Sequence, residues 1–213
     1  MSPPLVVLDA DVLGRRRTGD ETYVASLLRA LPGAAPDLRL AAVTRRPDLV
    51  PPGVEPVELA ARSQEWRMAW SLPRLLRRLS PALLHTQHAL PLAAPCPAVV
   101  TVHDLSFERD PQLMGRLDRA VFRLVVPRAA RAARRVIAVS ERTRRDLLEL
   151  YGIPEGKIVV VPHGVDPIFA PDGSPGGGYA LLVGAVQARK DPLAAAEAAA
   201  AAGLPLVAVG PVK

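Results

Sequence analysis

The run VIAVSERTRRDLLELYGIPEGKIVVVPHGVD, residues 136–166, admits few folds. Residues 136–139 are apolar and mostly β-branched, the composition of a strand buried on both faces. Ser140 is suited to cap a helix, and Glu141 places an acid in the first turn, where the helix dipole favours it. Leu147, Leu148 and Tyr151 give that helix one apolar side, and Gly152 with Pro154 ends it. Residues 157–161 read as a second buried strand. Strand, helix and strand make a βαβ unit, which requires a parallel sheet whose ligands meet it at the strand C-termini.

The same alternation runs upstream. Residues 5–8 read as a first buried strand ending at Asp9. A loop over 14–19 leads into a helix with Tyr23, Val24, Leu27, Leu28 and Leu31 on its apolar side. Residues 38–43 and 54–59 read as the next strands. Residues 64–79 read as an amphipathic helix with Trp66, Met68, Trp70, Leu72, Leu75, Leu76 and Leu79, which Pro73 is expected to kink. Short strands are predicted at 82–85 and 98–102, and a mostly helical stretch over 111–135 with a kink or break at Pro127. The prediction is an open parallel α/β sheet flanked by helices.

Composition then changes. Residues 167–178, PIFAPDGSPGGG, are rich in Pro and Gly. The pattern restarts with a strand over 179–183, a turn over 184–190, a helix over 192–202 and a strand over 204–209. A two-stranded parallel piece cannot cover its own apolar faces, so this is expected to be the first unit of a larger domain. The predicted organisation is an N-terminal domain over 1–168, a linker over 169–178 and an incomplete second domain over 179–213.

The 213 residues are 49% hydrophobic, which fits a globular chain. No apolar run approaches the roughly 20 residues of a membrane span, and the N-terminus lacks the basic, apolar pattern of a signal peptide. One cysteine, Cys96, excludes an internal disulfide and a cysteine metal cluster. The expected location is the cytoplasm. Net charge is +6, and eleven arginines crowd residues 109–145 against Asp110, Asp118 and Glu141. That charge fits a solvated helix face, or attraction to an anionic membrane surface or a phosphorylated substrate. Nucleic acid is set aside, because aromatics are 4% and no basic stripe is interleaved with stacking residues.

Several side chains sit where such a sheet presents ligand contacts. His103 and Asp104 directly follow the strand at 98–102; a histidine there serves either as a hydrogen-bond or acid–base group or as a partner for loop carbonyls. His85, Gln87 and His88 follow another strand, as cleft groups or as ordinary loop polar groups. The loop 14–19 precedes a helix whose free N–H groups suit phosphate or sugar oxygens, although Thr18 or Asp20 equally suits a cap. It lacks the G-x-G-x-x-G spacing, and Thr44, Arg45 and Arg46 follow the second strand where a dinucleotide site wants an acid, which disfavours a dinucleotide oxidoreductase. In the turn GAVQARK, Gly184 permits close approach while Arg189 and Lys190 supply adjacent cations suited to a diphosphate; the alternative is a solvated basic turn. Asp9-Ala10-Asp11 matches a D-x-D metal pattern, but it ends a strand; Asp9 is read as a loop-organising acid and no metal is predicted.

Four segments in order, LDADVLGRRRTGDETYVASLLRAL, TVHDLSF, the 136–166 run and LLVGAVQARKDPL, together resemble the family 4 glycosyltransferases of GT-B fold. The resemblance implies two Rossmann-like domains, the N-terminal one taking the acceptor and the C-terminal one a nucleotide-sugar donor. It implies hexose transfer with retention, no metal and no cofactor, the co-substrate being a GDP- or UDP-hexose and the acceptor a glycan or lipid-linked glycan. By match to the family pattern, His103 contacts the transferred sugar, Arg189 and Lys190 with Gly184 bind the donor diphosphate, and Thr18 and Gly19 lie in the glycine loop near donor and acceptor. Asp104, His88 and Tyr23 are expected in the acceptor cleft.

There are departures. Asp20-Glu21-Thr22 stands where relatives often have Ile-Gly-Arg, Ala185 replaces a basic residue, and His163 stands where asparagine is common. The family's two donor-binding glutamates are not found, so the chain is expected to be incomplete and inactive alone. The alternative is a non-catalytic acceptor- or partner-binding module; a nucleotide-sugar epimerase of the same fold fits the ordered segments less well. On this reading residues 136–166 are scaffold and hinge approach.

Overall fold

The structure is a computed structural model that describes residues 3–15, 18–110, 112, 114–170, 177–184, 186 and 190–210. In chain order the elements of its first part are β1 (Leu5–Asp9), α1 (Thr18–Ala34), β2 (Arg39–Thr44), β3 (Glu55–Glu58), α2 (Gln64–Trp66), α3 (Leu72–Leu79), β4 (Leu83–Gln87), β5 (Ala98–Val102), α4 (Ser106–Arg109), α5 (Arg116–Ala132), β6 (Arg135–Ala138), α6 (Glu141–Tyr151) and β7 (Ile158–Val160). After them come β8 (Ala180–Val183), α7 (Pro192–Ala201) and β9 (Leu206–Val209). The chain forms two compact units, Met1–Gly164 and Val165–Lys213.

Within the first unit seven strands pair in the order β3-β2-β1-β4-β5-β6-β7, and every pairing is parallel. This is the Rossmann-like α/β sheet the alternation predicts. Successive residues of a strand point to opposite faces, and the core divides accordingly. Val7, Ala41 and Val43 face one cluster with Leu72 and Leu76 of α3, Leu84, Val100 and Val136. Leu8, Leu40 and Ala42 face the other, against Val24 and Leu28 of α1. β3 is an edge strand, where Pro56 omits a ladder donor without leaving a central neighbour unpaired.

α6 carries the signals read from its sequence. The Ser140 hydroxyl accepts from the Thr143 N–H at 3.1 Å. At the other end Gly152 takes φ +61°, and its N–H donates to the Leu148 carbonyl at 3.0 Å. At Pro127 the break the sequence allowed does not occur, and near Pro73 the irregularity falls just before the proline. α5 runs from Arg116 to Ala132 with Pro127 inside it. Val126, Pro127, Ala129 and Ala130 are all buried, so packing against the sheet outweighs the lost hydrogen bond, and Arg123, whose carbonyl loses its helical partner, is exposed. Pro73 lies in the first turn of α3, where its missing N–H costs least. The irregularity falls just before it, as a π-helical turn over Arg67–Ser71 between α2 and α3.

The second unit pairs β8 with β9 in parallel, with α7 between them in sequence. Leu181, Val183, Val207 and Val209 on its strands are exposed.

Candidate functional site

Strand order reverses between β1 and β4, and in an open parallel sheet the crevice beyond the strand C-termini at such a point is where ligands bind. Asp9 ends β1 there and Gln87 ends β4. The floor of the crevice is an ion-pair cluster. Arg67, wholly buried, sends Nη1 and Nη2 to the two Asp9 carboxylate oxygens at 2.9 and 2.7 Å. Asp11, also buried, has Oδ1 3.2 Å from Arg45 Nε and 3.6 Å from Arg67 Nε, and pairs with Arg15 as well. The π turn carries the guanidinium to this position, and such turns recur at functional sites. Asp9 also accepts from the Asp11 N–H at 3.3 Å, the loop-organising role read from the sequence. Both carboxylates of the D-x-D are thus engaged by arginines.

Above this floor the chain's four histidines converge. His85 Nε2 lies 2.8 Å from Thr101 Oγ1, which is 3.1 Å from the Tyr23 hydroxyl. His103 Nε2 lies 2.9 Å from Gln87 Oε1. With that amide oxygen as acceptor, Nε2 carries the proton and Nδ1 the lone pair. His163 Nε2 faces that Nδ1 at 3.3 Å. The Tyr23 ring meets His103 edge-on at 4.9 Å and His163 at 5.1 Å between centroids. His88 stacks obliquely on His103 at 5.1 Å and approaches Phe122 of α5 at 5.7 Å.

The backbone holds this arrangement at some cost. His88 sits at φ +56°, a left-handed conformation that costs a non-glycine residue about 1–3 kcal/mol. Its N–H donates to the Thr101 carbonyl at 2.9 Å, while its buried Nδ1 has no hydrogen-bond partner among the described residues. The His103 carbonyl accepts from the Thr143 hydroxyl at 3.1 Å, which ties the loop after β5 to the N-terminus of α6. Asp104 is exposed and turns its Oδ1 onto the Ser106 N–H and hydroxyl at 2.9 and 2.6 Å, closing the same loop.

Burial sets the charge of the cluster. It holds His85 down at about 4 despite the opposing pull of Asp9. Burial, then the neighbouring His88, hold His103 at about 4, with Asp20 acting the other way. His88 is lowered by burial too, and burial raises the Tyr23 phenol. At neutral pH His85, His88, His103 and Tyr23 are therefore uncharged, a surface of hydrogen-bonding groups rather than fixed charges.

Among the other sequence-predicted residues, Thr18 opens α1 and Gly19 is exposed, with open space where a Cβ would lie. Arg16 and Arg17 of the same loop lie outside the described residues. Glu21 reaches back to accept from the Gly14 N–H at 2.7 Å, which pins the near end of that loop. Gly184 follows β8 at φ +122°, and a Cβ there would lie 3.8 Å from Lys190 Cε; Lys190 is exposed. Arg189 lies outside the described residues. Sequence reasoning missed Arg67 and His163. The 136–166 run is therefore more than scaffold, because its last turn delivers His163 to the His103 ring.

No curated protein matches the chain in sequence. Among solved structures it resembles a glycosyltransferase from Rickettsia africae ESF-5, with TM-score 0.52, 12% identity, 99% of this chain and 69% of that one covered. The apo lipopolysaccharide outer core galactosyltransferase WaaB gives TM-score 0.52 at 10% identity, covering 97% of this chain and 68% of that one. S. aureus MnaA in complex with UDP gives TM-score 0.56 at 11% identity, covering 100% of this chain and 63% of that one. These identities establish a shared fold. A family model described as Glycosyltransferase Family 4 matches residues 17–169. That match takes in α1, the histidine crevice and the 136–166 run together, and the chain belongs to glycosyltransferase family 4.

Proposed function

We propose that the chain supplies the acceptor-side domain, and in its second unit diphosphate-binding residues, of a retaining hexosyltransferase. It moves a hexose from a UDP- or GDP-linked donor to a glycan or lipid-linked acceptor, with no resident cofactor or metal. The observation that carries this reading is the uncharged cluster of Tyr23, Gln87, His88 and His103 at the reversal of strand order. A sugar offers many neutral hydroxyls and no charge, and such a cluster offers matching donors and acceptors. His103, held near 4, is neutral at physiological pH. It therefore suits a hydrogen bond to the transferred sugar better than proton delivery.

The acceptor oxygen replaces the diphosphate at the anomeric carbon, so negative charge builds on the leaving group. Stabilising that charge is the task of cations, for which Lys190 beside Gly184 is the described candidate and Arg189 its neighbour in sequence. A membrane-borne acceptor at the cytoplasmic face has support from α5. Its Leu117, Val121 and Leu124 are exposed at helical spacing, 79% and 71% for the two leucines, beside exposed Arg116 and Arg123. No helix among the described residues is long and apolar enough to cross a membrane. The test is transfer, by a protein that joins this chain to a complete donor-binding domain, from a panel of labelled UDP- and GDP-hexoses to a lipid-linked glycan acceptor, with the product's anomeric configuration read by NMR. Transfer with retention is expected; no transfer across the panel, or inversion, would overturn the reading.

A further inference from the structure

We infer that Asp20, His88 and His103 form a binding site for a zinc-type divalent transition metal, and that a bound ion excludes the sugar. One potential ligand atom from each of Asp20, His88 and His103 lies within 4.8 Å of the other two. Around a tetrahedral zinc with bonds of about 2.0 Å such atoms are about 3.3 Å apart. Side-chain rotation at Asp20, in the first turn of α1, can supply the contraction required.

Two further observations point to a ligand here. His88 Nδ1 is buried with no hydrogen-bond partner among the described residues, an orphan that a metal bond would satisfy. His103 already has the second contact common to metal-bound histidines, because its Nε2–H donates to Gln87 Oε1 and leaves Nδ1 as the ligand atom. That Nδ1 has His163 Nε2 at 3.3 Å, a contact that a bound ion would replace.

The donor chemistry selects the ion. Two imidazoles and one carboxylate, with water in the open position, suit Zn2+, Co2+ or Ni2+, whereas Mg2+ prefers oxygen ligands and retained waters. The consequence is competitive. The reading of His103 as the sugar contact rests on the proposed transfer, and a metal on Nδ1 would take the face a sugar needs.

The test needs no turnover. Titrating the protein with Co2+ should give the intense visible absorption of a tetrahedral centre at one equivalent, and Zn2+ should displace it while millimolar Mg2+ should not. His88→Ala should weaken Zn2+ binding by about tenfold to a hundredfold or more, as even outer-shell changes do at metal sites. Asp20→Asn, in the first turn of α1 and only partly buried, should weaken it too and guards against a folding defect in the first variant. No tetrahedral spectrum, or a Zn2+ affinity unchanged by Asp20→Asn and His88→Ala, would overturn the inference. Either result leaves the glycosyl-transfer reading to its own assay.

Discussion

His85→Gln isolates the electrostatics of the crevice. His85 is held at about 4 against an ordinary 6.5, because the buried ring sheds the water that would stabilise its charged form. A histidine lowered on folding binds fewer protons in the native state than in the unfolded one between those two values. Its contribution to stability is therefore complete above about 6.5 and is lost as pH falls towards 4. The full difference corresponds to about 3 kcal/mol, and linkage places about 2 kcal/mol of that loss above pH 5. Urea unfolding read by circular dichroism at pH 7.5 and pH 5 measures it directly. With a slope of about 2 kcal/mol/M, the wild-type midpoint should fall by about 1 M from this residue alone. His103 and His88 shift in the same direction and add to the fall. Glutamine keeps a donor for Thr101 Oγ1 but cannot titrate, so His85→Gln should remove about 1 M of the midpoint shift. An equal pH dependence in wild type and variant would refute the argument that burial, rather than the carboxylates, sets acid sensitivity in this range.

Two other perturbations test separate parts of the account. Asp9→Ala leaves Arg67 buried without its bidentate partner, and should cost about 3–5 kcal/mol in urea unfolding; Asp9→Ala combined with Arg67→Met should recover much of that loss, whereas a cost under about 1 kcal/mol would mean that water reaches the pair. Replacing Leu117 and Leu124 of α5 by Ser should weaken sedimentation with anionic phosphatidylglycerol vesicles at least tenfold while leaving the unfolding midpoint nearly unchanged, since both side chains are exposed; equal binding to neutral and anionic vesicles would argue against α5 as the docking face.

The sheet was legible because each strand combines β-branched residues with a bounded length, and because α6 has its signals in adjacent residues: Ser140 at one end, Gly152 at the other. The crevice was legible only in part. His103 follows a strand and so announces itself. Arg67 does not, because on an amphipathic helix an arginine is ordinarily solvated, and only the tertiary fold sets it against an aspartate 58 residues earlier. His163 is equally remote, 60 residues from the ring it faces, and a turn histidine carries no local signal of a partner. The π turn at Arg67–Ser71 has no reliable sequence mark beyond the following proline. Pro127 misled in the opposite sense, since the burial of Val126, Ala129 and Ala130 is a tertiary fact that outweighs a local helix breaker.

The most direct test of the proposed chemistry is His103→Ala assayed with the donor and acceptor that support transfer, separating kcat from KM. An imidazole that contacts the sugar in the transition state predicts a fall in kcat of about a hundredfold or more with a small change in donor KM. An unchanged kcat, or a loss confined to KM, would remove His103 from the reaction centre and with it the central claim.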